Sequence, residues 1–206
     1  MVYAMTMRAD VVVVGAGHAG IEAAWAASRL GASVIVCTLS PQTIGQMPCN
    51  PAIGGTAKAH LVREIDALGG LMAEAIDATG IQFRLLNRSR GPAVWSPRAQ
   101  ADKQLYAAHV RRRLEGADGI AFVYGEVAAL LVEGARVQGV SLGDGRQVLA
   151  SQVVLTTGTF LDGVIHVGPD QRRAGRYDEP SARALSESVR ALGLPVGRLK
   201  TGTPPR

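Results

Sequence analysis

The stretch VVVVGAGHAG at residues 11–20, followed by the alanine-rich segment 21–30, decides the fold. Four consecutive β-branched residues predict a strand that is buried on both faces, as in a parallel sheet. The glycines have the spacing G-x-G-x-x-G directly after that strand and directly before a predicted helix, which is the context of a dinucleotide-binding turn. In such a turn the first glycine permits a tight bend, the second lets the backbone approach a pyrophosphate, and the third lets the helix pack closely on the strand.

A second buried strand, SVIVCT at residues 33–38, follows the helix, which Gly31 ends. Strand, helix and strand over residues 8–40 form a βαβ unit with a right-handed crossover and a parallel sheet. An acid that holds the ribose hydroxyl is expected about 20 residues after the turn. The second strand instead ends in Thr38, and Thr38 or Ser40 could bond the ribose, though more weakly than a carboxylate.

The order of the later segments favours FAD over NAD. We expect an inserted loop-helix segment at 41–118, a β-meander at 119–150 with a hairpin turn at Asp144-Gly145, and a return strand and last helix at 151–206. A Rossmann-like α/β domain of the glutathione-reductase type has this order, by analogy of architecture. Because only three parallel-type strands are recognisable, fewer than in a complete doubly wound sheet, we expect residues 1–206 to be a fragment of an FAD-binding domain.

Within these segments the periodicity predicts further elements. A helix at 56–68 has Leu61, Ile65 and Leu68 on one face, and residues 81–86 form a strand. Residues 89–97 are a loop broken by Gly and Pro. A long helix is expected at 98–115, and the final helix at 182–192.

Composition places the chain among globular proteins. It has 206 residues, 47% of them hydrophobic, a mean hydropathy of +0.13, and no apolar run near the ~20 residues of a membrane helix. The first ten residues lack the apolar core of a signal peptide, and two cysteines are too few for a disulfide framework, so we expect a cytoplasmic protein without membrane association.

The positive charge is concentrated in two segments. Residues 84–113 contain eight basic residues and one acid, and residues 171–206 contain eight basic residues and three acids. This segregation is typical of a polyanion-binding surface. Solvation of exposed helix faces explains it equally well.

Cys49 lies in the sequence GQMPCNPAIGG at 45–55, just before a predicted helix. A helix amino terminus with Lys58 and Arg63 nearby would lower the thiol pKa and make Cys49 a nucleophile or redox thiol. A small buried hydrophobic residue is the alternative. Cys37, inside an apolar strand, is predicted to be structural. The four histidines show no metal-ligand spacing, so no metal site is expected, and His18 alone has a cofactor-adjacent position.

Several blocks together resemble one family. They are GAGHAG at 15–20, GQMPCNPAIGG at 45–55, HLVREIDALGG at 60–70, TGIQFRLLN at 79–87, GPAV at 91–94, RAQAD at 98–102, TTGTFLDG at 156–163 and LKTGTPPR at 199–206. This set is similar to the glucose-inhibited division protein A family of tRNA-modifying flavoproteins. The resemblance runs over essentially the whole chain and corresponds to the amino-terminal third of the family's proteins.

The resemblance implies an FAD-dependent enzyme that adds a (carboxymethyl)aminomethyl group to C5 of the wobble uridine (U34) of tRNA. Such enzymes act as homodimers with a GTPase partner and use methylenetetrahydrofolate, NADH, and glycine or ammonium. The family's second cysteine, NADH loop and partner-binding domain would lie beyond Arg206.

The family's functional residues fall on matching positions of this sequence. The catalytic cysteine falls on Cys49, which favours the functional reading of that residue, and the family carries Thr at position 38. The cofactor-binding positions are Gly15, Ala16, Gly17, His18, Ala19, Gly20, Thr38, Val127 and Ser181. The chain departs from the family at Trp95, where Arg is frequent, and residues 168–181 match loosely, which leaves Ser181 less secure.

The mechanism and two other functions stay open. A thiolate that adds to C6 of uracil raises the electron density at C5, which suits Cys49, but Cys49 could instead attack or shield the flavin. A related folate- and FAD-dependent tRNA uridine-54 C5-methyltransferase shares the flavin turn but not the CNPAIGG block. A truncated, non-catalytic FAD- or RNA-binding fragment is the other alternative.

Overall fold

The computed structural model describes residues 6–48, 50–176, 179–200 and 202. The helices are α1 (His18–Arg29), α2 (Lys58–Ala67), α3 (Leu71–Thr79), α4 (Lys103–Glu115) and α5 (Arg183–Ala191), with short 3-10 turns at Pro41–Thr43 and Pro92–Val94. The strands are β1 (Thr6–Arg8), β2 (Val11–Val14), β3 (Val34–Thr38), β4 (Ala52–Gly54), β5 (Gly80–Leu86), β6 (Ser96–Ala101), β7 (Ile120–Tyr124), β8 (Val127–Glu133), β9 (Arg136–Leu142), β10 (Gln147–Leu149), β11 (Gln152–Leu155), β12 (Val164–Val167) and β13 (Asp170–Arg173).

A four-stranded parallel sheet with the order β11-β2-β3-β7 forms the centre of the fold. Its strands are covered on both sides: Val13, Val34 and Val36 belong to one hydrophobic core, while Val12 and Ile35 belong to another. The predicted βαβ unit and return strand are therefore confirmed. The expectation that residues 120–124 open the meander is wrong, because β7 pairs in parallel with β3 and is the fourth strand of this sheet.

The meander is built from β8, β9 and β10, with β1 added in parallel at the edge. Its predicted hairpin turn is present, since Gly145 donates its N–H to the Leu142 carbonyl at 3.0 Å and has φ +89°. Helix α5, predicted at 182–192, packs on β8, where the Ser188 hydroxyl accepts a hydrogen bond from the Leu130 amide at 3.1 Å. The meander thus places the start of β8 beside the end of the parallel sheet.

The inserted segment holds a three-stranded sheet with the order β4-β6-β5, together with α2, α3 and α4. The helix predicted at 98–115 begins only at Lys103, because residues 96–101 pair with both β4 and β5 as the central strand β6. Asp102 separates the two elements: its carboxylate accepts hydrogen bonds from the Gln104 and Leu105 amides and caps α4.

Helix α2 forms where the periodicity predicts it, but of the three residues predicted to share its apolar face Ile65 is partly buried and the other two are exposed. Leu61 is 60% exposed and Leu68 is 90% exposed. None of the helices in the described part of the chain is long and apolar enough to cross a membrane.

Candidate dinucleotide-binding cleft

A cleft opens at the carboxyl ends of the parallel strands. It is lined by the residues that follow β2, β3, β7 and β11 and by the segment before α5. This edge of an open α/β sheet is where ligands of the fold class bind. The predicted positions that line the cleft are Gly15, Ala16, Gly17, Thr38, Val127 and Ser181. His18, Ala19 and Gly20 instead form the first turn of α1 beside it.

Gly15 and Gly20 are required by the protein's own backbone. Gly15 has φ +104°, and a Cβ there would lie 2.6 Å from the Thr156 carbonyl oxygen. A Cβ on Gly20 would collide with the Gly15 carbonyl oxygen and lie 2.8 Å from Thr156 Oγ1. Gly15 is held in place because its N–H donates to the Cys37 carbonyl at 2.8 Å. The turn therefore needs glycine for the bend and for helix packing.

Gly17 has a different reason to be glycine. Among the described residues, its own chain neighbours aside, no atom would lie within 4 Å of a Cβ at this position, and its φ of −74° is open to any residue. Gly17 is the N-cap of α1, no side chain caps the helix, and its first turn contains no acid. The free N–H groups of that turn are available to an anion. The open space beside Gly17 fits a pyrophosphate that approaches the backbone.

Thr38 presents a hydrogen-bond acceptor in the cleft. Thr43 Oγ1 donates its single proton to the Ser40 carbonyl at 2.6 Å, so the 2.8 Å bond between Thr38 Oγ1 and Thr43 Oγ1 has Thr38 as its donor. The lone pairs of Thr38 Oγ1 stay available to a hydroxyl donor. Thr38 can thus accept a hydrogen bond from a ribose hydroxyl, as the side chain of an acid would, but it carries no negative charge.

Two charged side chains line the described part of the cleft, Arg176 and Glu126, and the sequence did not indicate either. Arg176 donates to Gln46 Oε1 at 2.6 Å, and its guanidinium lies 5.0 Å from the centre of the Phe160 ring. Residues 168–181 match the family loosely, so the resemblance did not indicate Arg176. Its position beside the glycine turn is seen only in the folded chain. Its guanidinium also lies 3.9 Å from a carboxylate oxygen of Glu179, so the positive charge that it brings to the cleft is partly neutralised.

His18 is half-buried, and its ring packs against Tyr106. The two rings meet edge to face with their centres 5.7 Å apart, and among the described residues neither His18 Nδ1 nor the Tyr106 hydroxyl has a hydrogen-bond partner. Burial, and secondarily the positive charge of Arg176, lowers the pKa of His18 below its ordinary value. Both effects favour the neutral form of the imidazole over the charged form.

Cys49 lies outside the described residues, but both of its flanks are placed. Before it, the Gly45 amide donates to the Ala16 carbonyl at 3.0 Å, which fastens this loop to the glycine turn. After Cys49, strand β4 comes before α2. The helix therefore does not directly follow the cysteine, contrary to the expectation from the sequence. Cys37 is buried, and burial raises the pKa of its thiol to about 11, which supports the prediction of a structural role.

The family is decided by comparison over nearly the whole chain. A family model described as glucose inhibited division protein A matches residues 10–206. The chain belongs to the glucose inhibited division protein A family. A relative from Chlamydia trachomatis, described as tRNA uridine 5-carboxymethylaminomethyl modification enzyme MnmG, is 53% identical over 96% of this chain and 32% of its own length. The chain therefore spans about a third of the length of such curated relatives.

Solved structures of GidA and of a GidA-related protein have a similar fold. Aquifex aeolicus GidA matches with a TM-score of 0.91 and 50% identity, over 96% of this chain and 33% of that chain. A GidA-related protein from Thermus thermophilus matches with a TM-score of 0.65 and 25% identity, over 89% of this chain and 68% of that chain. These matches confirm the predicted Rossmann-type α/β fold of FAD-binding proteins.

Proposed function

We propose that the cleft binds FAD and that the chain is the FAD-binding part of a tRNA-modifying enzyme. The residues fit the cofactor. The open space beside Gly17 and the uncapped amino terminus of α1 would hold the pyrophosphate. Thr38 Oγ1 would accept from a ribose hydroxyl, and the backbone of Val127 would contact the adenine. Ser181, which also lines the cleft, would contact the cofactor before α5.

One of the two charged side chains in the described part of the cleft supports an anionic ligand. Arg176 brings a positive charge to the glycine turn, although a Glu179 carboxylate oxygen lies 3.9 Å from its guanidinium, whereas Glu126, next to Val127, brings a negative charge. Because Arg176 also bonds Gln46, three residues before Cys49, it connects the cofactor cleft to the loop of the proposed nucleophile. Bound FAD would supply redox chemistry there, and Cys49 would supply the thiolate that adds to C6 of the uridine or acts beside the flavin.

We infer that the whole protein adds a (carboxymethyl)aminomethyl group to C5 of the wobble uridine of tRNA in the cytoplasm. The support is the family match over residues 10–206 and the tRNA-modifying function described for relatives more than 50% identical. By the same reasoning, methylenetetrahydrofolate and NADH would be cosubstrates. A GTPase and a second copy of the chain would be its partners.

Two experiments test this proposal separately. First, the purified protein should show the visible absorbance of bound flavin, and Gly17→Glu should abolish it because a carboxylate would enter the space of the pyrophosphate. A colourless protein that takes up no added FAD would contradict the cofactor assignment.

Second, the wobble uridine is analysed in cells that lack the native gene and carry this one within a full-length protein. Carboxymethylaminomethyluridine should be present with the wild-type sequence and absent with Cys49→Ser, which should still retain flavin. Methylated uridine at position 54 would instead indicate the methyltransferase activity. Unmodified tRNA with the wild type would contradict the proposed reaction.

A further inference from the structure

Three arginines from separate segments converge on one carboxylate at the rim of the cleft. Arg173 at the end of β13 contacts Asp162 Oδ1 at 2.8 Å. Arg190 on α5 and Arg198 in the segment after α5 each contact Asp162 Oδ2 at 3.0 Å. Arg198 also donates to the Asp162 backbone carbonyl at 3.3 Å. We call these four residues the Asp162 cluster.

Asp162 is built into the fold as the fixed centre of this cluster. Its φ of +48° places it in a left-handed turn, and its amide donates to the Ala182 carbonyl at 3.2 Å. The Asp162 side chain is only 10% exposed, whereas the side chains of Arg173 and Arg198 are more than 60% exposed. The carboxylate is thus covered by guanidinium groups that face solvent.

The three arginines of the cluster carry more positive charge than the one carboxylate neutralises, and they have more hydrogen-bond donors than Asp162 accepts from. Three guanidinium groups have about fifteen N–H donors, and among the described residues their hydrogen bonds to Asp162 use four. One carboxylate neutralises one of the three positive charges. The neighbouring pair on α5, Arg183 and Glu187, is by contrast a one-to-one ion pair at 2.7 Å.

The position of the cluster connects it to the cleft. Phe160 lines the cleft two residues before Asp162, and Ala182, which also lines the cleft, bonds the amide of Asp162. The planar guanidinium group of arginine can donate two parallel hydrogen bonds to one phosphate, which makes arginine the side chain best suited to bind phosphate in this way. Since guanidinium groups preorganised by a carboxylate lose little freedom on binding, this surface suits a polyanion that passes the rim.

We propose that the Asp162 cluster binds backbone phosphates of the RNA substrate beside the cofactor cleft, with Asp162 as the positioning residue. This inference rests on the proposed function. It assigns the polyanion binding predicted for the basic segment 171–206 to a particular site within that segment. The same chemistry would accept a free phosphate or the pyrophosphate of a dinucleotide, so the test includes those ligands.

The test measures tRNA affinity of the purified protein as a function of salt. Each phosphate contact contributes a slope of about −0.9 in log K against log salt, which is about a fivefold gain in affinity near 0.15 M salt. Arg173→Gln should therefore weaken tRNA binding about fivefold and reduce the slope by about one, and adding Arg198→Gln should raise the loss to about thirtyfold. Arg173→Lys, which keeps the charge, should keep most of the slope.

Arg183→Gln is the matched control, because it removes the same charge from the same region but from a neutralised pair. Equal effects of Arg173→Gln and Arg183→Gln on affinity and slope would overturn the inference. The inference would also be overturned if inorganic phosphate, pyrophosphate or FAD displaced bound tRNA as effectively as free tRNA does, because the cluster would then be a general anion site or part of the cofactor site. If flavin is retained but tRNA does not bind even the wild type, the proposed function fails in its RNA part, which is a different result.

Discussion

Gly15 and Gly17 should respond to the same substitution in opposite ways. In Gly15→Ala, the added methyl group would lie 2.6 Å from the Thr156 carbonyl oxygen on a backbone with φ +104°. Strain at such a dihedral costs about 1–3 kcal/mol, and overpacking adds about 1–3 kcal/mol. We expect the apo protein to lose at least about 2 kcal/mol of folding stability, or about 4–8 °C in Tm for a chain of this length.

In Gly17→Ala the methyl group meets no atom of the described part of the chain within 4 Å, apart from its chain neighbours, and φ is −74°. Losing glycine at an N-cap costs a few tenths to about 1 kcal/mol, and the reduced entropy of the unfolded chain returns about 0.4–1 kcal/mol. The Tm of the apo protein should therefore stay nearly unchanged. FAD affinity should fall at least tenfold, about 1.4 kcal/mol, because the methyl group occupies space that the pyrophosphate needs.

The assay pairs thermal melting of the apo protein with FAD titration followed by quenching of flavin fluorescence. If Gly17→Ala binds FAD like the wild type, the open space beside Gly17 does not belong to the cofactor and the prediction is wrong. It is also refuted if Gly17→Ala destabilises the apo protein as much as Gly15→Ala does.

Four further results are expected. Thr38→Val should weaken FAD binding by about 0.5–1.5 kcal/mol through loss of the ribose acceptor, and Thr38→Ser should retain it in the same titration. Asp102→Ala should lower folding stability by about 1 kcal/mol through loss of the α4 cap, which denaturant unfolding measures against Asp102→Ser as the control that keeps a cap. Hydrogen bonding from Arg190 and the charges of the other cluster arginines lower the pKa of Asp162 below 3.8. The contribution of the Asp162 carboxylate to folding stability is therefore present above that value and is lost as pH falls through the folded-state pKa. The Tm difference between the wild type and Asp162→Asn should shrink from pH 6 to pH 3, and a constant difference would contradict this. Arg176→Gln should raise the pKa of His18 in an NMR titration, because a nearby positive charge is removed; an unchanged or lower pKa would rule out that coupling.

The parts of the fold that could be predicted are those whose signal is local. The strand-turn-helix at residues 11–29 was predictable because burial of the valines, glycine spacing and helix all lie within one short segment. The identity of β7 was not, because its alternating pattern suits a meander and only its parallel pairing with β3, over 80 residues away, makes it part of the central sheet. Strand β6 was misassigned for the same reason, since both of its partners lie elsewhere in the sequence.

The candidate site shows the same division. The glycine turn and Thr38 could be found from spacing, and the resemblance supplied Val127 and Ser181, all of which line one cleft. Arg176 and the Asp162 cluster could not be found, because their partners are distant in sequence and no pattern connects them before folding. The basic segment 171–206 gave the sign of the charge there, but not that three of its arginines share one acid.

The flavin content of the purified protein decides whether the cleft is an FAD site. We expect about one FAD for each chain, released on denaturation and identified by its mass, with none retained by Gly17→Glu and normal retention by the remote control Arg183→Gln. A folded wild-type protein that carries no FAD and does not take it up at saturating concentration would show that the cleft does not bind FAD.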